Sequence, residues 1–197
     1  GTARIAVGAS SVGNTNPADN YYAIGMAAGY VGDAVKPAYS GNVVNEGIID
    51  VNGEHSIGMY ASGSGSTATN DGNIVLNANN TTGIYVDNGA TAINNSSIRT
   101  GSGTYSNAVG VYIGTGSRLI NNAGATIDIN AKNGIGVYLK GGTVANYGTI
   151  KVNNADPKVN NSDEEGSLIY KFKTPDTGKG VGGVSIDEPS GAQTATI

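Results

Sequence analysis

The sequence repeats one short unit in Ile57-Gly58-Met59-Tyr60, Thr82-Gly83-Ile84-Tyr85, Val109-Gly110-Val111-Tyr112 and Ile135-Gly136-Val137-Tyr138. An earlier copy, Ile24-Gly25-Met26-Ala27, lacks the tyrosine, and Val181-Gly182-Gly183-Val184 is a degraded later copy. The glycines at 25, 58, 83, 110, 136 and 182 are separated by 33, 25, 27, 26 and 46 residues, by subtraction. A period of about 26 residues is typical of repeat proteins that stack one unit on the next.

Each unit contains a second landmark, in which an asparagine precedes a glycine and a short apolar run. The best copies are Asn45–Asn52, Asn70–Asn77 and Asn146–Asn153, with looser copies at 94–100 and 122–130. A unit therefore holds three short β-like runs bounded by Gly or Asn, and no helical period is visible. We expect one asparagine per unit to stack at a shared turn in a structural role, namely Asn45, Asn70, Asn94, Asn122 and Asn146.

Three strands in about 26 residues cannot bury an apolar face unless units stack. The pattern predicts an all-β fold, a right-handed single-stranded parallel β-helix with three short strands per coil. Two aliphatic columns are expected to point inward, one formed by Met26, Met59, Ile84, Val111 and Val137 and the other by Ile49, Ile74, Ile98, Ile127 and Ile150. A β-sandwich is the structural rival, but it gives no reason for the unit to recur in register.

Residues 1–197 are interpreted as a single β-helix segment of a longer protein. The rhythm fails at residues 154–180, where the spacing widens to 46, and we expect an extruded loop or hairpin there. A smaller excursion is expected around Val31 to Tyr39. Loops of this kind often carry the function of a solenoid.

Composition excludes several functions. Charged residues make up 13% of the chain and the net charge is -4, so the cationic surface that nucleic acids require is not expected. No apolar run approaches the roughly 20 residues that span a bilayer, so we expect the fragment not to insert into a membrane. The 197 residues contain no cysteine, which rules out disulfides and thiolate sites. We expect the fragment to be monomeric.

The tyrosines are the candidate contact residues. Alternation with the inward column points Tyr60, Tyr85, Tyr112 and Tyr138 outward, beside the glycines, as a strip able to stack on sugar rings or on a protein. Tyr170 and Phe172 in the predicted insertion are added as possible partner contacts. Two other interpretations stay open: the rings could only stabilise the helix by stacking, or they could face inward.

The sequence gives little support for an enzymatic function. The outward column reads Asp50, Val75, Arg99, Asp128 and Lys151, so like charges are never directly opposite and its last three residues alternate in sign. Glycoside hydrolysis would need two carboxylates paired in one groove. Asp163, Glu164 and Glu165 match no standard Ca²⁺ loop, and His55 lacks a Ser or Cys partner motif. We expect no catalytic residues, no cofactor and no metal.

The units Gly136-Val137-Tyr138, Asn146-Tyr147-Gly148-Thr149-Ile150 and Ala90-Thr91-Ala92-Ile93-Asn94 resemble the passenger repeats of large type V autotransporters, particularly the very long adhesins of fusobacteria. The resemblance covers roughly residues 20–153. It implies export through a C-terminal outer-membrane barrel, display on the cell surface and a part in virulence.

The resulting hypothesis is a non-enzymatic, surface-exposed stalk or adhesin segment that attaches to a host or bacterial surface protein or glycan. Two alternatives are kept: a carbohydrate-active β-helix enzyme (a lyase or glycosidase), and a purely mechanical spacer.

Overall fold

A computed structural model describes residues 2–152, 167–171 and 193–196. The chain forms a right-handed parallel β-solenoid with three strands per coil, as the repeat predicts. Equivalent strands lie about 25 residues apart and build three six-stranded sheets, which run along the solenoid.

We name each sheet after its most characteristic column. The isoleucine sheet contains β1 (Arg4–Val7), β4 (Ile48–Val51), β7 (Asn73–Leu76), β10 (Ser97–Thr100), β13 (Thr126–Ile129) and β16 (Thr149–Val152). The tyrosine sheet contains β2 (Ile24–Ala28), β5 (Ile57–Ser62), β8 (Thr82–Asp87), β11 (Val109–Ile113), β14 (Ile135–Leu139) and β17 (Ser167–Lys171). The asparagine sheet contains β3 (Asn42–Asn45), β6 (Thr67–Asn70), β9 (Thr91–Asn94), β12 (Ser117–Asn121), β15 (Gly142–Asn146) and β18 (Gln193–Thr196).

The core is a narrow aliphatic column enclosed by the three sheets. Both predicted inward columns pair in the expected register. Their central members are fully buried, while Met26 and Ile150 at the two ends are partly exposed. Each coil adds a small or branched residue from the asparagine sheet, in the order Val43, Ala68, Ala92, Leu119 and Val144. Burial is therefore shared between successive coils, as expected for a solenoid.

The glycines of the repeat lie differently from the prediction. A Cβ built on Gly58 would lie 2.6 Å from the carbonyl oxygen of Gly83 and 3.0 Å from Cγ2 of Ile74 in the core. These glycines therefore face the core and do not lie beside the tyrosines on the outer surface. Met59 is fully buried in the core, whereas Ile57, although only 8% exposed, lines a surface groove together with Tyr60. Strict alternation of the two faces therefore fails at Gly58.

Two excursions leave the solenoid near its N-terminal end. The one expected around Val31 to Tyr39 is closed by an antiparallel bridge between Tyr30 and Tyr39. A second, which the sequence did not predict, joins β1 to β2 and is closed by a bridge between Ser11 and Tyr21. At its tip, Pro17–Asp19 form one 3₁₀ turn that is capped by Asn16.

The region after β16 differs in part from the predicted insertion at 154–180. Residues 167–171 of that region form β17, which pairs in parallel with β14 and places Tyr170 opposite Tyr138. Ser167–Lys171 therefore continues the tyrosine sheet within the predicted insertion, while the copy proposed at 181–184 lies outside the described residues. The rest of the predicted insertion lies outside the described residues. β18 pairs with β15 in the antiparallel sense, in contrast to the other strand pairs described.

Candidate functional site

The tyrosine strip consists of Tyr60, Tyr85, Tyr112 and Tyr138, which occupy the same position in β5, β8, β11 and β14. Their Cα atoms pair directly, and the partly exposed rings lie on the side of the sheet opposite the core. Ring centroids are 5.7 Å apart for Tyr60 and Tyr85, 4.2 Å for Tyr85 and Tyr112, and 5.1 Å for Tyr112 and Tyr138. The last two pairs are nearly parallel, with interplanar angles of 11° and 8°. The geometry confirms the outward strip and excludes the inward alternative.

Partial burial in the strip affects the hydroxyl group of Tyr85. Burial raises the pKa of Tyr85 well above its usual value, and the charge interaction and hydrogen bond with Tyr112 add to the effect. Because Tyr85, Tyr112 and Tyr138 stack face to face, neighbouring rings cover one another's faces. The strip therefore presents ring edges and hydroxyl groups, which suit hydrogen bonding and edge contacts with a partner.

The other two predicted contact residues are Tyr170 and Phe172. The backbone of Tyr170 continues the register of the strip, one coil beyond Tyr138. Phe172 lies outside the described residues. The role of all six tyrosine and phenylalanine positions in partner contact stays a prediction.

A groove of about 400 Å³ opens at the N-terminal end of the strip. We call it the tyrosine groove. Its described lining is Tyr22, Ile24, His55, Ile57, Tyr60, Asn80, Thr82 and Tyr85. Tyr60 and Tyr85 belong both to this groove and to the strip. Tyr22 belongs to the unpredicted excursion before β2 and is 63% exposed. Sequence reasoning missed Tyr22, although its position two residues before the first copy of the repeat was a signal.

His55 and Asn80 enter the tyrosine groove from a column of left-handed residues. His55, Asn80, Asn107 and Asn133 follow one another at this turn with φ between 51° and 57°. The amide nitrogen of Asn107 donates to Asn80 at 2.9 Å, and that of Asn133 donates to Asn107 at 3.1 Å. Asparagine tolerates this backbone better than most residues, which explains its recurrence. His55 is the exception in the column and places an exposed imidazole at the groove.

A second asparagine ladder is buried and structural. It runs through Asn45, Asn70, Asn94, Asn121 and Asn146, each amide nitrogen donating to the next side-chain oxygen at 2.7–2.9 Å. The prediction placed Asn122 in this ladder, which is wrong. Asn122 belongs instead to a parallel exposed ladder and donates to Asn95. The reason is that the turn between Asn121 and Ile127 is two residues longer than its counterparts, such as Asn94 to Ile98.

The charged column of the isoleucine sheet has the predicted register, from Asp50 to Lys151. A groove of about 340 Å³ near its C-terminal end is lined by Arg99, Asp128 and Lys151 together with Thr100, Gly101 and Asn130. Lys151 lies 3.7 Å from Asp128, and both side chains are well exposed to solvent. Such a pair contributes little to stability, about 1 kcal/mol at most. Only one carboxylate is present in this groove among the described residues.

Metal sites and membrane-spanning helices also bear on function. Among the described residues, no group of three or more His, Cys, Asp or Glu side chains is placed to hold a metal ion. In the same part of the chain, no helix has the length and apolar character needed to cross a membrane.

Residues 2–101, which are 100 of the 197 residues, match the family model of the BigA third pectate lyase-like domain. The chain belongs to this family. No curated protein and no solved structure matches it significantly. The BigA family match fits a segment of a bacterial surface protein and a cell-surface location. The matched part of this BigA-family chain runs from β1 to β10 and includes the whole tyrosine groove.

Proposed function

We propose that the chain is a non-enzymatic segment of an autotransporter-type adhesin, and that it attaches the bacterium to a surface protein or glycan of another cell. The observation that carries this proposal is the tyrosine strip. Solvent-accessible aromatic rings, aligned over four coils, form a flat amphipathic surface of the kind enriched in binding sites.

The solenoid supports this proposal mechanically. Successive coils repeat at about 4.8 Å in a parallel sheet, so the rings keep a fixed spacing without any movement of the backbone. A rigid surface loses little conformational entropy when it binds, which favours recognition of an extended partner. The strip also lies on the sheet face itself, so its position does not depend on a loop.

Attachment should depend on the middle of the strip. In the full-length protein displayed on cells, we expect the double variant Tyr112→Thr/Tyr138→Thr to lower the number of attached partner cells by about tenfold, because two aromatic contacts are lost. Threonine keeps the preference for strand structure. Attachment is measured by counting adherent fluorescent cells at equal surface expression.

The matched control is Tyr147→Thr, which removes a tyrosine that is 49% exposed in the turn after β15, away from the strip. It should attach like the parent. Equal attachment by the double variant and the control would exclude the strip as the contact surface and would favour the mechanical spacer.

A carbohydrate-active enzyme is the second candidate, favoured by the pectate lyase-like description of the family and by the groove at Arg99, Asp128 and Lys151. Glycoside hydrolysis usually requires two carboxylates at a defined separation. For neutral polysaccharides incubated with the chain, we therefore expect no release of reducing ends. A lyase cleaves by β-elimination and does not need paired carboxylates, so polygalacturonate is tested separately. The non-enzymatic proposal predicts no rise in the absorbance of unsaturated uronates there. Turnover that Asp128→Asn abolishes would overturn the non-enzymatic proposal.

A further inference from the structure

We propose that the tyrosine groove is a binding site for a neutral pyranose unit of a surface glycan. This inference rests on the proposed attachment function and specifies one ligand class for it. The groove combines aromatic rings from Tyr22, Tyr60 and Tyr85 with the polar side chains of His55, Asn80 and Thr82.

The lining matches the two kinds of surface that a pyranose ring presents. The C–H groups on one face of the ring are apolar and stack on aromatic side chains, whereas the hydroxyl groups at its rim need hydrogen-bond partners. Tyrosine rings supply the first surface, and the hydroxyl, amide and imidazole groups supply the second. A site with an apolar wall and a few convergent polar groups is the usual form of a small-molecule site.

The composition of the groove lining favours a neutral sugar over an acidic one. None of the described residues lining the tyrosine groove is Asp, Glu, Lys or Arg. A uronate or sialate carboxylate would have to leave water without gaining a fixed cation, which is unfavourable. The cationic side chains Arg99 and Lys151 lie on the isoleucine sheet and line a different groove.

The position of the groove suits an oligosaccharide better than a single sugar. It opens directly onto the tyrosine strip, because Tyr60 and Tyr85 belong to both. Beyond Tyr85 the strip continues through Tyr112 and Tyr138 with further exposed ring edges. Adjacent coils advance by about 4.8 Å, so the rings of the strip follow one another at a short and regular spacing. One sugar in the groove can therefore continue into neighbours that lie along the strip.

The test uses the whole chain and defined oligosaccharides. Cellohexaose and maltohexaose are the neutral probes, and hexagalacturonate is the acidic counterpart of similar length. Binding is measured by isothermal titration calorimetry and by ligand-observed NMR. We expect at least one neutral probe to bind, and we expect hexagalacturonate to bind at least about tenfold more weakly.

Two adjacent tyrosines provide a matched pair of variants. Tyr22 and Tyr21 are 63% and 62% exposed, but only Tyr22 lines the groove. Tyr22→Ala should weaken the neutral probe about tenfold, whereas Tyr21→Ala should bind like the parent. Because both rings are mostly in solvent, neither variant should disturb the fold.

A third variant tests the polar side of the groove. His55→Asn introduces the residue that occupies this left-handed turn in the following coils, so the backbone is retained. We expect it to weaken the neutral probe several-fold by removing the imidazole contact.

Three results would overturn the inference: no binding of either neutral probe, stronger binding of hexagalacturonate, or equal binding by the Tyr22 and Tyr21 variants. Each is separable from failure of the attachment function. If no probe binds but Tyr112→Thr/Tyr138→Thr still abolishes cell attachment, the strip contacts a protein and only the glycan inference falls.

Discussion

Gly83→Ala should lower the free energy of unfolding by roughly 1–3 kcal/mol, the typical cost of overpacking a well-packed core. A Cβ at this position would lie 2.5 Å from the carbonyl oxygen of Gly110 and 2.7 Å from Cγ2 of Ile98. The first contact is with the backbone of the next coil, and the second is with a fully buried core side chain. Neither neighbour can rotate away.

The same methyl group should be harmless where the surroundings are open. Gly8 has no atom within 4 Å of a Cβ built on it, and its φ is not in the left-handed region. Gly8→Ala should therefore leave stability unchanged or raise it slightly. Urea denaturation of both variants, followed by circular dichroism, measures the difference. Similar midpoints for the two variants would refute the close approach of backbone between coils.

The close approach of the repeat glycines to the next coil is related to the order Gly-apolar-Tyr in each unit. At this glycine two consecutive positions face the core, and the preceding apolar residue lies on the side of the tyrosine. Simple alternation, on which the sequence prediction rested, would place Ile57 and Met59 on one face. The prediction found the right register and the right face for the tyrosines but misplaced the glycines. A break in alternation that depends on close contact between coils is not visible in one copy of the repeat.

The register was predictable because equivalent residues of successive copies lie opposite each other. Successive copies of the unit pair at equivalent positions. The columns that contain Ile74 and Met59 could therefore be predicted from the spacing of the copies alone. The misassigned Asn122 shows where this method fails. Two neighbouring asparagines, Asn121 and Asn122, both fit the pattern, and only the unequal length of the following turn decides between them.

The tyrosine groove could not be predicted from the sequence, for a different reason. Tyr22 lies two residues before Ile24, at the repeat position that His55 and Asn80 occupy in the next two coils, but tyrosine does not recur there. The period gives the place of this residue in the coil and does not show that its ring lines a groove with Tyr60 and Tyr85. The strip, in contrast, follows from the period alone, so the repetitive part of the candidate site was predictable and the unique part was not.

Asn70→Ala should cost about 3 kcal/mol of unfolding free energy, because it interrupts the buried asparagine ladder. Asn70 is fully buried; its oxygen accepts from Asn45 at 2.8 Å and its amide donates to Asn94 at 2.9 Å. The amide also lies 3.2 Å from the carbonyl oxygen of Ser97. Alanine leaves these partners unsatisfied inside the protein, where water cannot replace the lost group, and each such group costs roughly 1–3 kcal/mol.

Asn95→Ala is the matched control, since Asn95 makes the same kind of ladder contact in the next turn position. Its amide donates to Asp71 at 2.6 Å and its oxygen accepts from Asn122, but the side chain is exposed. Water can take over both contacts, so the expected loss is below about 0.5 kcal/mol. Equilibrium urea unfolding of the two variants compares them directly. If both lose the same free energy, burial is not what gives the ladder its strength. If Asn70→Ala alone is destabilised, the ladder fixes the register between coils, and with it the alignment of the tyrosine strip on the neighbouring sheet.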